Sequence, residues 1–358
     1  MAHHNTILRQ IIAFLPRHDF DALAKAHHHG QKFRAFNRWS QFIAMFIGQL
    51  SARASLRDLV MNIAAQSPKL YHLGIKPCSR ATLARVNEQQ PASLYEAIFH
   101  KLLQQCRQFA PKHRFKFNGK LYLLDATVID LCLSVFPWAT FRQTKGAIKL
   151  HVGLDGDGYL PEFLDLTDGK SHESTWAKTL KLPSGSMVVF DMGFTDYTWF
   201  QTLTENKIFF VTRLKRNARI QGLRKRSGRK AKGITADQTI LLGKMSLPLR
   251  KVCYQDPETG KELSFVTNAD HLDAKTIAEL YKERWQIELF FKWIKGNLKI
   301  KTFLGTSRNA VLTQIWIALS VYLLLSFLKF KAKLGVPLQQ MLRLLQLNLF
   351  ERRDFIEL

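Results

Sequence analysis

The sequence has few of the features that mark secreted, disulfide-bonded or zinc-binding proteins. Its 358 residues include four cysteines, and no two of them have the close spacing of a zinc site or a disulfide framework. The N-terminal stretch MAHHNTILRQIIAFLP contains neither a long apolar segment nor a small-residue cleavage site, so we expect no secretory signal there. These shortages favour a reducing compartment, the cytoplasm.

Acidic residues are scarce as well. Lys and Arg total 53 against 28 Asp and Glu, which gives a formal net charge of +25. Such molecules repel one another unless a polyanion is bound to them. Nucleic acid is the polyanion that we expect, and a basic protein kept in solution by charge alone is the alternative. With 46% hydrophobic residues the composition is otherwise that of a folded protein, not of a disordered or fibrous one.

One uncharged stretch requires a membrane test. Residues 310–328, AVLTQIWIALSVYLLLSFL, have nearly the length of a membrane-spanning helix. Thr313, Gln314 and two serines weaken that interpretation. Basic residues flank both ends of the stretch, so they indicate no orientation across a membrane. We predict a buried helix of a large core and no membrane partner.

The first part of the chain predicts helices. Apolar residues recur at helical spacing in ILRQIIAFL, WSQFIAMFIGQL and LYEAIFHKLLQQC, so residues 1–112 form a predicted helical N-terminal domain that we expect to bind DNA. Within it, LSARASLRDLVMNI and CSRATLARVNEQ resemble a helix-turn-helix in which Ser79 caps a helix that presents Arg80, Thr82 and Arg85. A generic solvated helix face explains these residues equally well. Residues 331–358 are predicted to form a helical C-terminal tail.

From about residue 115 the pattern changes to strands. KLYLLDATVIDL predicts a strand, and a Gly-Asp-Gly turn joins two more strands in AIKLHVGLDGDGYLPEFLDLTDG. A helix near 173–180, the strand MVVFD, a helix near 197–205 and the strand KIFFVTRL follow. This α/β order would place the first strand beside MVVFD. Because both strands are predicted to end in Asp, Asp125 and Asp191 become neighbours at the rim of the sheet.

A basic, β-rich insertion is predicted over residues 214–268. Ten of the twenty residues from Arg213 to Lys232 are basic, and short strand-like pieces such as ILLGKM, RKVCYQ and ELSFVT follow. Such a run can be no more than a solvated loop, but in so basic a chain we favour neutralisation of DNA phosphates. The residues predicted to contact DNA in this run are Arg213, Lys215, Arg216, Arg224, Lys225, Arg226, Arg229 and Lys230.

A long helix is predicted from Ala274 to about Leu298, with Asp273 as its N-cap. At about 100° per residue, one apolar stripe forms the core face. That stripe consists of Leu280, Ile287, Phe291, Ile294 and Leu298. An adjacent arc holds one carboxylate among cations and a phenol. Its members are Tyr281, Arg284, Glu288, Lys292 and Lys295.

Glu288 has two interpretations. Arg284 and Glu288 could form an ordinary surface ion pair worth a few tenths of a kcal/mol. We favour a site in which Asp125, Asp191 and Glu288 hold two Mg²⁺ ions roughly 3.5–4 Å apart, which would activate the attacking oxygen and stabilise the leaving oxygen of a phosphodiester. Mn²⁺ should substitute for Mg²⁺. The cations of the arc would hold backbone phosphates and Tyr281 would donate to one, although Lys292 rests on helical geometry alone.

These residues resemble a known family. Tyr281, Arg284, Glu288 and Lys295 match the Y-x2-R-x3-E-x6-K signature of the DDE transposases of bacterial insertion sequences, in the branch named after insertion sequence four. LLDAT around Asp125 and VVFDMGF around Asp191 look like that branch's first two carboxylate motifs. Asp130 competes for the first position, but it lies beyond the apolar run of its strand, so Asp125 is preferred. The resemblance covers about residues 115–330.

The resemblance implies a fold and a reaction. The fold would be a ribonuclease-H-like catalytic domain over residues 113–330, with the 214–268 strands inserted into it. The reaction would be cleavage at terminal inverted repeats to free a 3′-OH, which attacks target DNA, with a hairpin on the transposon end in better-known members. A homodimer on the DNA and a location at the nucleoid would follow. A Mg²⁺-dependent nuclease without strand transfer and a non-catalytic DNA-binding protein are the alternatives.

Overall fold

The chain is a mixed α/β protein with a helical N-terminal part and one large sheet. A computed structural model describes residues 5–27, 36–142, 145–226, 232–243 and 245–354. The helices are α1 (Ile7–Ile12), α2 (Arg17–Ala26), α3 (Arg38–Leu50), α4 (Leu56–Ala65), α5 (Ser67–Leu70), α6 (Arg80–Gln89), α7 (Ser93–Arg107), α8 (Glu173–Ala177), α9 (Tyr197–Glu205), α10 (Ala274–Glu283), α11 (Trp285–Asn297), α12 (Arg308–Lys331) and α13 (Leu338–Asn348). The strands are β1 (Leu121–Leu131), β2 (Thr140–Arg142), β3 (Lys145–Asp155), β4 (Leu160–Asp168), β5 (Met187–Phe190), β6 (Phe209–Arg213), β7 (Ile220–Lys225), β8 (Ile234–Leu242), β9 (Leu249–Gln255) and β10 (Glu262–Thr267).

These elements form two compact units. Unit 1 comprises Met1–Pro111, Ile129–Ala147 and Phe291–Leu358, and unit 2 comprises Lys112–Val128 and Ile148–Phe290. The C-terminal helices α12 and α13 thus share a unit with the N-terminal helices. The domain limits given above at residues 112 and 330 stay predictions.

Unit 1 is built around α12. This helix packs against α3, α6, α7 and α13, and residues 313–328 along it are buried. In the described part of the chain, α12 is the one helix with the length and hydropathy to cross a membrane, and 94% of its most apolar window is buried inside the protein. Core helices pass the same test, so the predicted buried helix is confirmed.

The N-terminal helices confirm the helical pattern but not a helix-turn-helix. Ser79 caps α6 as predicted, since its hydroxyl accepts the backbone N–H of Thr82 at 3.1 Å, and Arg80 and Arg85 are exposed. However, residues 66–79 separate α4 from α6, and they include α5. A DNA-binding helix-turn-helix has a turn of about three to four residues. The prediction of that motif is therefore wrong for this pair of helices.

The sheet has ten strands in the order β2-β3-β1-β5-β6-β10-β9-β8-β7, with β4 also paired to β3. β1, β5 and β6 are parallel, and β10 joins β6 in antiparallel register. The strands predicted between residues 214 and 268 are confirmed. They continue the main sheet through the β6–β10 pairing instead of forming a sheet of their own. β7 is the outermost of them, and its side chains are exposed.

Two predicted element ends are wrong. β1 does not end at Asp125 but continues to Leu131, because it also neighbours β3, which is likewise eleven residues long. The long helix is interrupted at Arg284. There the N–H of Arg284 bonds to the carbonyl of Tyr281 and the N–H of Ile287 to that of Arg284, at 3.2 and 3.1 Å. Both bonds span three residues, which tightens the coil into a short 3₁₀ turn.

A charged network fixes the β3–β4 hairpin. Asp157 lies in the turn of this hairpin. It accepts hydrogen bonds from Lys112 and Lys120, both at 2.9 Å, and from the N–H of His113 at 3.0 Å. Tyr159, whose φ of 53° is in the left-handed region, donates to Glu283 of α10. The Gly-Asp-Gly turn is therefore structural, and its carboxylate is neutralised by lysines.

We expect Asp157→Asn to destabilise the protein by about 2 kcal/mol at neutral pH. Burial opposes ionisation of Asp157, but the two lysines and the His113 N–H outweigh it and lower its pKa from 3.8 to about 2. A lowered carboxyl pKa stabilises the folded state above pH 3.8, and this contribution is lost as the pH falls towards 2. In urea unfolding, the difference in the free energy of unfolding between Asp157→Asn and wild type should become smaller from pH 7 to pH 3. Asp168→Asn, at an exposed position, should have the wild-type free energy of unfolding at each pH.

Candidate active site

Asp125 and Asp191 lie side by side in unit 2. β1 and β5 are in register from Leu121 opposite Met187 to Leu124 opposite Phe190, and each Asp is the next residue of its chain segment. Asp191 is held in place because its Oδ1 accepts the N–H of Gly193 at 2.7 Å. Parallel strands thus bring together two carboxylates that are far apart in the sequence.

Arg284 connects the first carboxylate to the third. Its Nη1 donates to Asp125 Oδ2 at 3.0 Å, and its Nη2 donates to Glu288 Oε1. The exposed side-chain fractions are 15% for Arg284, 18% for Asp125 and 34% for Glu288. Burial opposes the charge on Arg284, but Tyr281, Asp125 and Glu288 outweigh it and raise its pKa. Arg284 is therefore a permanent cation between the two carboxylates.

Asp125 is buried near other carboxylates. Burial raises the pKa of its carboxyl to about 7, although the N–H of Ala126 and the charge of Arg284 both oppose this. The neighbouring carboxylates of Asp191 and Glu173 raise it further. Burial is thus the main reason that this carboxyl resists ionisation, and the nearby negative charges add to it.

Glu173 is a fourth carboxylate at this place, and it was not among the predicted site residues. It lies in the first turn of α8, and its Oε1 is 3.3 Å from Lys149 Nζ. A Cβ at position 193 would lie 2.4 Å from Glu173 Oε2 and 2.9 Å from Asp191 Oδ1. Only glycine at this position lets the two carboxylates approach each other. The available signal was an acidic helix start after β4, which helix capping explains equally well.

The donor set around Asp125 suits a divalent metal ion in its chemistry. Carboxylate oxygens are the ligands that Mg²⁺ prefers, and oxygens of Glu173 and Asp191 both approach Gly193 closely. A further positive charge would favour the ionised form of Asp125, whose pKa burial raises. Within the described residues, however, no group of three His, Cys, Asp or Glu side chains is arranged to hold a metal ion. Asp125 and Asp191 form the centre of the candidate site, and Glu288 is tied to it through Arg284.

Two further predicted residues lie near the acidic pair. The Tyr281 ring packs on Phe265, with centroids 4.9 Å apart, and the Arg284 guanidinium lies 5.7 Å from the Tyr281 centroid. Burial raises the pKa of Tyr281, the charges of Arg284 and Arg213 oppose this, and Asp191 adds to it. Arg213, the last residue of β6, is therefore within electrostatic range of the site.

The other predicted DNA contacts are more dispersed. Lys215 and Arg216 follow β6, and Arg224 and Lys225 project from the exposed strand β7. Arg226 donates to Asp270, so a protein carboxylate already neutralises it.

Four predicted positions remain. Arg229 and Lys230 lie outside the described residues. Lys292 and Lys295 are on the part of α11 that belongs to unit 1, where Lys292 is exposed and Lys295 is half-buried. Asp130, the competitor for the first carboxylate, also belongs to unit 1 and lies near Lys295.

The comparison with known proteins identifies the family. Residues 116–324, more than half of the chain, match the family described as "Transposase DDE domain". The chain belongs to the DDE transposase family. Residues 3–76 match a second family, described as "Domain of unknown function (DUF4372)". The family-level resemblance drawn from the signature residues is confirmed, and the branch within the DDE transposases stays a prediction.

Named relatives agree with this assignment. A Sinorhizobium fredii protein named as transposase y4zB is 34% identical over 298 residues, which are 81% of this chain and 81% of the relative. A Geobacillus stearothermophilus protein named as a transposase for insertion sequence element IS5377 is 26% identical over 69% of this chain and 67% of its own length. A Synechocystis protein named as a transposase for element IS4SA is 26% identical over 72% and 75%. The chain is accordingly a DDE transposase, an enzyme that acts on DNA.

Proposed function

We propose that this transposase binds the terminal inverted repeats of its insertion sequence, cleaves there, and joins the freed 3′-OH to target DNA in a metal-dependent reaction. The observation that supports this most is the side-by-side position of Asp125 and Asp191, with Arg284 linking Asp125 to Glu288. The net charge of +25 supports a DNA substrate.

The fold that we propose for the catalytic domain is ribonuclease-H-like. The partial order β4-β3-β1-β5-β6, with the first carboxylate on β1 and the second directly after β5, supports this assignment. The strands β7–β10 between the second Asp and the Glu would then be the insertion of the insertion-sequence-four-like branch.

Asp125, Asp191 and Glu288 would hold two Mg²⁺ ions, with Mn²⁺ as a substitute. When bound, such ions activate the attacking hydroxyl and neutralise charge on the phosphate. The residues of the chain orient this site. The N–H of Gly193 fixes Asp191, Arg284 positions Asp125 and Glu288, and Glu173 adds negative charge beside the pair.

DNA would be held by cations around the site. Tyr281 lies within electrostatic range of Asp191 and of Arg213, and Arg284 lies within range of Asp125. These three residues would face the scissile phosphate. The outer contacts that we propose are Lys292, Lys295, Lys215, Arg216, Arg224, Lys225, Arg226, Arg229 and Lys230. Cleavage at two transposon ends favours a homodimer on the DNA, acting in the cytoplasm at the nucleoid.

A joining assay tests this proposal. The full chain is incubated with a labelled transposon-end duplex, a supercoiled plasmid and Mg²⁺, and a parallel sample contains EDTA. We expect labelled duplex covalently joined to plasmid with Mg²⁺ or Mn²⁺ and no product with EDTA. Cleavage without joining would point instead to a nuclease. Binding of the duplex with neither reaction would point to a DNA-binding protein without catalysis.

A further inference from the structure

Unit 1 contains a basic pocket, of whose residues only Lys295 is among the DNA contacts proposed above. It has a volume of about 300 Å³ and lies among the end of α11, the following loop and α13. Its cationic side chains are Lys295, Lys299, Lys301 and Arg343. Among the described residues that line it, none is acidic. The pocket is therefore a concave surface of one charge sign, which attracts anions.

The cations in this pocket are close enough to repel one another. Lys295 is half-buried, and its pKa is lowered first by burial and then by the charge of Lys301. Asp130 opposes this effect but does not cancel it. An anion bound beside Lys295 and Lys301 would lessen this repulsion. The arrangement thus indicates a site that binds a negatively charged ligand.

Two buried glutamines hold the basic loop in place. The side-chain oxygen of Gln314 accepts the N–H of Leu304 at 2.9 Å, and its amide donates to the carbonyls of Thr302 and Lys299. The side-chain oxygen of Gln49 accepts the N–H of Lys299 at 2.9 Å. Gln314 and Gln49 are 1% and 2% exposed. Such buried amides are costly unless bonded, and here they fix the backbone that carries Lys299 and Lys301.

The opposite wall is fixed as well. Met341, Leu342 and Leu345 anchor one face of α13 in the core, so Arg343 is exposed on the other side of the helix. Gln346 adds an amide that can donate a hydrogen bond. Because both walls are ordered before any ligand arrives, little conformational entropy is lost on binding.

We propose that this pocket binds a backbone phosphate of duplex DNA. The inference rests on the proposed function, because DNA is the polyanion that the enzyme acts on. Three or four cations around one concave surface, with an amide donor beside them, suit a phosphodiester, whose charge is spread over two oxygens. Lys299, Lys301 and Arg343 would then carry DNA affinity outside the basic run of residues 213–232.

The test compares two variants with equal loss of charge. The pocket variant carries Lys299→Gln, Lys301→Gln and Arg343→Gln, and the control carries Lys170→Gln, Lys181→Gln and Lys261→Gln at exposed positions of unit 2. Fluorescence anisotropy measures binding to a transposon-end duplex and to an unrelated duplex of equal length between 50 and 200 mM salt. We expect the pocket variant to bind about tenfold more weakly, with a salt slope lower by about 1 per lost phosphate contact. The control should bind like wild type.

The outcomes separate the pocket from the catalytic proposal. Weaker binding to both duplexes supports contact with phosphates of any DNA, and weaker binding to the end duplex alone places the phosphate in the transposon end. Wild-type affinity and slope for both duplexes, or an equal loss in the control, would overturn the proposal. Circular dichroism checks folding, and Lys301→Arg should bind like wild type whereas Lys301→Gln should not. A chain that shows this pocket dependence but never cleaves DNA would leave the pocket valid and refute the proposed reaction.

Discussion

Asp125→Asn, Asp191→Asn and Glu288→Gln are each expected to reduce strand cleavage and joining by at least about 10³-fold, while DNA binding is retained. Each substitution keeps the shape of the side chain and removes one negative charge. Asp125 and Asp191 share a sheet edge, and Glu288 is linked to Asp125 through Arg284. If the three carboxylates act on one phosphate, none of them can be replaced by a neutral amide.

The measurement is single-turnover cleavage of an end duplex at saturating protein, with anisotropy to follow binding. Asp165→Asn is the matched control, because Asp165 is an exposed acidic residue on β4 of the same unit. It should cleave at the wild-type rate. A wild-type rate in any one of the three carboxylate variants would exclude that residue from the catalytic group.

Sequence patterns predicted the part of the site that depends on strand order. The apolar run before Asp125 and the apolar run before Asp191 each predict a buried strand, and an α/β arrangement places such strands together. The observed β1–β5 register agrees with this. Each Asp directly follows the last residue pair of the β1–β5 register, Leu124 opposite Phe190. The apolar run before each Asp was therefore sufficient to predict that the two lie side by side.

Other parts of the site depend on contacts that leave no local pattern. Arg284 and Asp125 are 159 residues apart, and the i,i+4 spacing indicated a pairing with Glu288 only as an alternative to phosphate binding. The approach of Glu173 to Asp191 depends on the missing side chain of Gly193, which no helical or strand periodicity reveals. The interruption at Arg284 also has no Pro or Gly as its cause, so composition predicted an unbroken helix.

Secondary structure was easier to predict than the way the elements combine. The strands β8, β9 and β10 were expected from the strand-like pieces ILLGKM, RKVCYQ and ELSFVT, but their attachment to the main sheet depends on the antiparallel pairing of Phe265 with Arg213. Likewise, the periodicity of residues 50–89 predicted helices correctly, while the length of the connection decided against a helix-turn-helix. Pairing partners and connection geometry are set by tertiary packing, which a single sequence shows only indirectly.

Arg284→Gln is expected to lower the melting temperature of the metal-free protein by several degrees. Removing the side chain takes away the hydrogen bonds that Arg284 donates to Asp125 and Glu288, and a hydrogen bond to a charged group is worth about 1.5–3 kcal/mol. Arg284→Lys should not restore wild-type behaviour, since a single ammonium cannot reproduce the fork that reaches two carboxylates.

The same substitution tests whether Arg284 compensates negative charge that a bound divalent ion would also compensate. If it does, Mg²⁺ or Mn²⁺ should raise the melting temperature of Arg284→Gln more than that of wild type, because ligands that bind the folded state stabilise it in proportion to their affinity. Cleavage should nevertheless fall, since Glu288 loses the contact that positions it. Lys282→Gln, an exposed cation on α10, is the matched control and should melt like wild type with and without metal. An Arg284→Gln variant with a wild-type melting temperature in EDTA, or with no larger response to the metal, would show that Arg284 does not compensate the charge of this site.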